Sequence, residues 1–189
     1  MKIKTTRDKA GLLPVLMDKN SEGPDPVYWV FEGITNHQWE NMTVIVAGSF
    51  NGEFPKTFGH YHTAKVDETY KLVHGSGVLM LQKKHYEKGR WVPEIIDEFY
   101  LVEFEPEDEI LITPEWGHAW ANVGNTPLIT FDNWRSGHSP DDYKPIEKLQ
   151  GLAYYLVDEG GNITAKPNPN YKQTPEPKHI TAKEFGTLH

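Results

Sequence analysis

Glu68-Thr69-Tyr70-Lys71-Leu72-Val73, then His74-Gly75-Ser76-Gly77, then Val78-Leu79-Met80-Leu81-Gln82, is the stretch that decides the fold class. Two runs of β-branched, aromatic and aliphatic residues flank a glycine-serine-glycine turn, the pattern of two strands joined by a tight connection. The same grammar recurs at 28–31, 43–47, 99–104, 110–113, 128–131 and 152–157, with turn signals at Asn51-Gly52, Gly124-Asn125 and Gly160-Gly161-Asn162. Many short strands with Gly, Asn and Pro turns predict an all-β sandwich, jelly roll or barrel. Short helices are expected only at the periphery, within the first 25 residues and across 140–150. The 189 residues fit one domain, divided into an N-terminal arm (1–25), a barrel core (26–165) and an extended tail (166–189). In the tail Pro167, Pro169, Pro175 and Pro177 oppose regular structure.

Composition narrows the chemistry. Lys and Arg total 19 against 27 Asp and Glu, a net charge of −8, so a nucleic-acid surface is not expected, because phosphate backbones need a basic stripe. Mean hydropathy is −0.60 and no long apolar run suggests a membrane span. The first residues lack the apolar core of a signal peptide, so a cytoplasmic protein is expected. With Cys 0, a disulfide framework, a thiolate zinc site and a cysteine nucleophile are all excluded. Histidine, carboxylate, tyrosine, hydroxyls or a bound metal must carry any reaction.

Gly59-His60-Tyr61-His62 places two imidazoles at i and i+2, on one face if the segment is a strand. Glu68 opens the next strand, Gly75 sits in its closing turn, and His118 follows in Pro114-Glu115-Trp116-Gly117-His118-Ala119-Trp120-Ala121-Asn122. Each piece alone is commonplace: a solvated histidine pair, a surface carboxylate, a turn histidine. Together they resemble the two motifs of the cupin superfamily, HxH with a carboxylate and glycine, then Pro…His-x-x-x-Asn. The gap from His62 to Glu68 is longer than that superfamily usually shows, and the Pro114-to-His118 step is one residue shorter. The resemblance implies an all-β, jelly-roll-like cupin barrel with a few short helices outside it. Three imidazoles and a carboxylate, with no thiolate, suit one divalent transition ion per chain, Fe²⁺ first and Mn²⁺, Ni²⁺ or Zn²⁺ next.

A narrower likeness runs through Gly52-Glu53-Phe54-Pro55-Lys56-Thr57-Phe58-Gly59-His60-Tyr61-His62, Glu68-Thr69-Tyr70, Gly75 to Gln82, Pro114 to Asn122 and Ser136-Gly137-His138. These stretches resemble the cupin-type phosphoglucose isomerases of archaea and some bacteria, over about the middle half of the chain. The resemblance implies interconversion of glucose 6-phosphate and fructose 6-phosphate in glycolysis and gluconeogenesis, by a cytoplasmic homodimer. It implies His60, His62, Glu68 and His118 as metal ligands, Glu68 as the base that moves a proton between C1 and C2, and His138 in ring opening or proton traffic. Tyr70 would act beside Glu68. Thr43, Thr57, Gly59, Tyr28 and Tyr143 would bind substrate, with Thr43, Thr57 and Gly59 near the phosphate. Threonine hydroxyls and a glycine amide are suitable neutral donors, although a strand threonine needs no function to explain it.

On a flat strand Thr57 and the histidine pair would face opposite sides, so a turn or bulge at Gly59 is expected. Trp120, two residues past His118, should share its face and either fill the core or narrow the pocket. His74 and His85 are expected near solvent; His37, His179 and His189 have no evident partners. The rival readings are another cupin enzyme, namely a different sugar isomerase or epimerase or a metal dioxygenase, and a sugar-phosphate sensor without turnover.

Overall fold

A computed structural model describes residues 1–34 and 38–188; His37 and His189 lie outside the described residues. The chain opens with β1 (Lys2–Arg7) and α1 (Lys9–Leu12), and a short 3-10 turn follows. Next come β2 (Tyr28–Glu32), β3 (Asn41–Ile45), β4 (Glu68–His74), β5 (Gly77–Glu87), β6 (Arg90–Glu103), β7 (Glu109–Ile112), β8 (Trp116–Asn122) and β9 (Leu128–Asp132). After α2 (Pro140–Lys148) the hairpin β10 (Tyr154–Glu159) and β11 (Asn162–Pro167) leads to β12 (Lys178–Thr181) and α3 (Ala182–Leu188). Two sheets enclose the core: one of six strands in the order β1-β2-β3-β9-β4-β7, one of four in the order β12-β6-β5-β8. This is the cupin-type barrel expected, with short helices outside.

Alternation decides what faces inward. On β4, Glu68, Tyr70 and Leu72 are buried while their neighbours are not; on β3 the buried set is Asn41, Thr43 and Ile45, and on β9 it is Leu128, Thr130 and Asp132. These period-two sets put apolar side chains (Ile45, Leu72, Leu128) at one end of the barrel and polar ones (Thr43, Glu68, Tyr70, Asp132) at the other. The apolar end merges with Leu79, Leu81, Phe99 and Trp120 of the smaller sheet. β8 is buried at every position, as befits a strand covered on both faces. Gly75 turns β4 into β5 at φ +88, where an added Cβ would meet the Pro127 carbonyl at 2.6 Å; only glycine fits there.

Three expectations need correction. Residues 1–25 are more than an arm with helices: β1 is an integral edge strand, antiparallel to β2. The tail is also not merely extended, because β12 pairs in parallel with β6 and α3 follows. Its prolines all precede β12, so they do not obstruct residues 178–188. Finally, His60 and His62 do not lie on a regular strand; His60 forms an isolated bridge with His118, and 61–62 are outside strands.

Candidate active site

The segment 56–60 runs along β8 as an irregular extra strand. The Thr57 amide donates to the Trp120 carbonyl (2.9 Å), and His60 and His118 exchange both backbone bonds (3.1 and 2.9 Å). Lys56 points away into a buried ion pair with Glu53. Between Thr57 and His60 the chain turns at Gly59, φ +82, where a Cβ would sit 3.2 Å from Ala119 Cβ. That irregularity resolves the parity conflict: Thr57, Gly59 and His60 all line one cavity. Beyond it, Asp142 of α2 clamps the segment, accepting from the Thr63 amide (2.8 Å) and hydroxyl (2.7 Å) while its carbonyl accepts from the Tyr61 amide (3.0 Å).

Ligand atoms of His60, His62, Glu68 and His118 lie within 4.8 Å of one another. The Nε2 atoms of His62 and His118 stand 2.9 and 3.2 Å from the same oxygen, Glu68 Oε2. His60 Nε2 is buried with no hydrogen-bond partner among the described residues, an unusual cost unless something else binds it. Burial, followed by the neighbouring imidazoles, pushes His60 well below the ordinary histidine value. Burial also lowers His118, although the Glu68 contact opposes it. Burial alone would raise Glu68, but hydrogen bonds from His118 and His62 bring its carboxyl down to about 2. Unprotonated imidazole and ionised carboxylate are the forms that ligate metals. The residues therefore fit one divalent transition ion, with nitrogen and oxygen donors and no sulfur.

The residues expected from sequence to bind substrate, Tyr28, Thr43, Thr57, Gly59 and Tyr143, gather in the cavity beside His60, and the expected catalytic residues Tyr70 and His138 line it as well. Trp120 lines it too while remaining 1% exposed, so it serves both as core and as cavity wall. The Tyr70 hydroxyl is 3.5 Å from His118 Nε2; burial and the Glu68 charge push its pKa well up, so it stays protonated as a donor. His138 stacks on Trp134 at 5.5 Å and lies 4.1 Å from the His60 ring. Burial lowers it to about 4 despite the Glu68 charge, leaving a neutral imidazole able to accept or relay a proton. His74 is exposed at the end of β4; His85 instead pairs with Asp97 at 2.6 Å.

Lys4, Arg7, Asn41 and Asp132 also line the cavity and were not anticipated. Asn41 was within reach, since it is two residues before Thr43 on β3. The Asp132 carboxylate accepts from Asn41 Nδ2 (2.6 Å) and the Trp134 amide (3.0 Å); burial and then the Glu68 charge push it up to about 7.

Comparison with known proteins agrees with this geometry. The family model described as "Glucose-6-phosphate isomerase (GPI)" matches residues 4–173. The glucose-6-phosphate isomerase of Thermococcus litoralis is 31% identical over 163 residues, 82% of this chain and 77% of the relative. That of Pyrococcus abyssi is 28% identical over 156 residues, 78% and 75%. A cupin superfamily protein of Desulfitobacterium hafniense superposes with a TM-score of 0.33 at 12% identity, over 59% of this chain and 79% of that one; the barrel assignment rests on the strand pairing instead. With the family model spanning most of the chain and its ligand motifs converging in space, the protein belongs to the glucose-6-phosphate isomerase family.

Proposed function

We propose that this protein interconverts fructose 6-phosphate and glucose 6-phosphate with one divalent transition ion held by His60, His62, Glu68 and His118. The observation that carries the proposal is a cavity walled by the Thr57–Gly59 turn and by His60, the member of the four-ligand group that opens onto it. Bound there, a divalent ion supplies Lewis-acid stabilisation of negative charge developing on the substrate's O1 and O2. Glu68, held ionised, accepts the proton from one of C1 and C2 and returns it to the other. Tyr70 donates beside it, and neutral His138, at the cavity wall, takes or gives the proton of ring opening. Thr43, Thr57, Gly59, Tyr28 and Tyr143 orient the phosphorylated end and keep water out. A hydride shift between C1 and C2 is the alternative within the same site. Iron is our first choice of ion. We also propose a cytoplasmic homodimer; the edge strands β1 and β7, with Ile3 and Leu111 58% and 55% exposed, offer surface for self-association.

The test is a coupled assay on purified protein, after chelation and after separate restoration of Fe²⁺, Mn²⁺, Ni²⁺ or Zn²⁺. Turnover lost with chelator and recovered with one ion is the expected result. Metal-loaded protein that turns over no fructose 6-phosphate overturns the proposal.

Thr57 makes a finer prediction. Its hydroxyl accepts from the Trp120 amide at 3.0 Å, leaving its own proton for a ligand. Thr57→Val should raise KM for fructose 6-phosphate about threefold to tenfold, the worth of a neutral hydrogen bond, while Thr57→Ser stays near wild type. An equal effect on unphosphorylated fructose would reject the phosphate role.

A further inference from the structure

One wall of the cavity belongs to β1, which contributes Lys4, Thr5 and Arg7. Its pairing with β2 slips between Ile3 and Thr5, so Lys4 is the extra residue of a bulge, a device that re-aims side chains. Arg7 lies opposite Tyr28 in the register, and its Nε donates to the Tyr28 hydroxyl at 3.3 Å. The same hydroxyl accepts from the Phe58 amide at 3.4 Å, and the Arg7 guanidinium sits 5.2 Å from the centre of the Phe58 ring. Phe58 is the residue between Thr57 and Gly59, so the guanidinium is packed directly on that turn. The Gly59 amide has no backbone partner among the described residues, and neither does Arg7 have a carboxylate at ion-pairing distance. Its remaining bond, Nη1 to the Gly11 carbonyl, is long at 3.5 Å. Lys4, by contrast, approaches Glu32 at 3.9 Å and Arg135 approaches Glu40 at 3.4 Å.

A half-buried guanidinium facing a cavity, with no counter-ion among the described residues and in a chain of net charge −8, calls for an anion. Its planar fork matches phosphate oxygens in pairs. We infer that Arg7 is the charged partner of the Thr57–Gly59 turn in binding the substrate's phosphate, and that it sets the preference for phosphorylated over unphosphorylated sugar. The inference rests on the isomerase assignment above for the substrate's identity, but its chemistry, a phosphate monoester on a guanidinium, stands on the geometry. It explains how an acidic protein recruits an acidic substrate: the neutral donors fix the phosphate's orientation, and one cation offsets its charge.

The experiment compares wild type, Arg7→Met and Arg7→Lys at matched metal content. It uses calorimetric titration with inorganic phosphate and with fructose 6-phosphate, alongside steady-state kinetics. Methionine preserves the stem that packs on Phe58 and removes the charge. Arg7→Met should weaken phosphate binding and raise KM for fructose 6-phosphate by about 10-fold to 100-fold, with the loss falling on KM rather than kcat. Arg7→Lys should recover part of it, and added salt should weaken phosphate binding more in wild type than in Arg7→Met. An active wild type whose Arg7→Met variant binds phosphate within about twofold of it refutes the role of Arg7 alone. A metal-loaded wild type that binds phosphate through Arg7 but turns over no sugar phosphate refutes the isomerase assignment and leaves the anion site standing. Should Arg7→Met fail to fold, wild type answers by arginine-selective dicarbonyl labelling. Inorganic phosphate should protect Arg7 and not Arg90, which opens β6 opposite Glu87 and does not line the cavity; equal labelling of Arg7 with and without phosphate overturns the inference.

Discussion

Glu68→Gln lowers kcat for fructose 6-phosphate isomerisation by about 10²-fold to 10⁴-fold, the range spanned by a positioned general base. The substitution keeps the side chain's shape and its buried place at the head of β4, where Glu68 is 1% exposed. What it removes is the negative charge toward which His62 and His118 converge at 2.9 and 3.2 Å and the oxygen able to take a carbon-bound proton. Stopped-flow or coupled kinetics at saturating substrate measures the loss, and atomic emission on the same samples reports metal. A metal-loaded variant turning over within about tenfold of wild type would remove Glu68 from the base role.

Metal content is the second large effect. His60→Ala and His118→Ala should each weaken metal affinity by more than about 100-fold, since losing a ligand exceeds the loss of an outer-shell partner. After dialysis into a metal buffer, both variants should hold far less than one ion per chain. His60 makes the sharper test. Its Nε2 has no hydrogen-bond partner among the described residues, so losing the ring breaks no side-chain hydrogen bond of the metal-free protein, and metal-free His60→Ala should still unfold cooperatively. Full occupancy in either variant would exclude that residue as a ligand.

How far the sequence alone reached follows from which signals are local. Each of the eight strands expected from apolar runs overlaps a strand of the structure, because turn residues and β-branched residues act over a few positions. The four candidate ligands could be singled out for the same reason: each sits inside a short motif, the structure brings them together, and Glu68 heads its strand as expected. The kink at Gly59 followed from parity once the resemblance had placed Thr57 at the site beside the histidine pair. What the sequence hid depended on long-range pairing. β1 reads Lys-Ile-Lys-Thr-Thr-Arg, too polar for an apolar-run criterion, and it becomes a strand by pairing with β2. Arg7 was therefore invisible as a cavity residue, since its place depends on a bulge and on a partner twenty-one residues away. Asp132 was missed because its inward facing is set by β9 pairing with both β3 and β4.

The parallel pairing of β12 with β6 has a consequence for solubility. The smaller sheet ends on one side at β6, whose residues Tyr100 to Glu103 would otherwise present bare amides and carbonyls to solvent. Such an edge recruits other chains and seeds aggregation. β12 occupies it, Lys178 lies over the Tyr100 ring at 5.3 Å, and Phe185 of α3 seals the corner against Tyr100 and Trp116. Residues 178–188 thus keep that edge of β6 covered. A protease that nicks the chain before Lys178 would leave the lining of the cavity untouched and uncover the β6 edge.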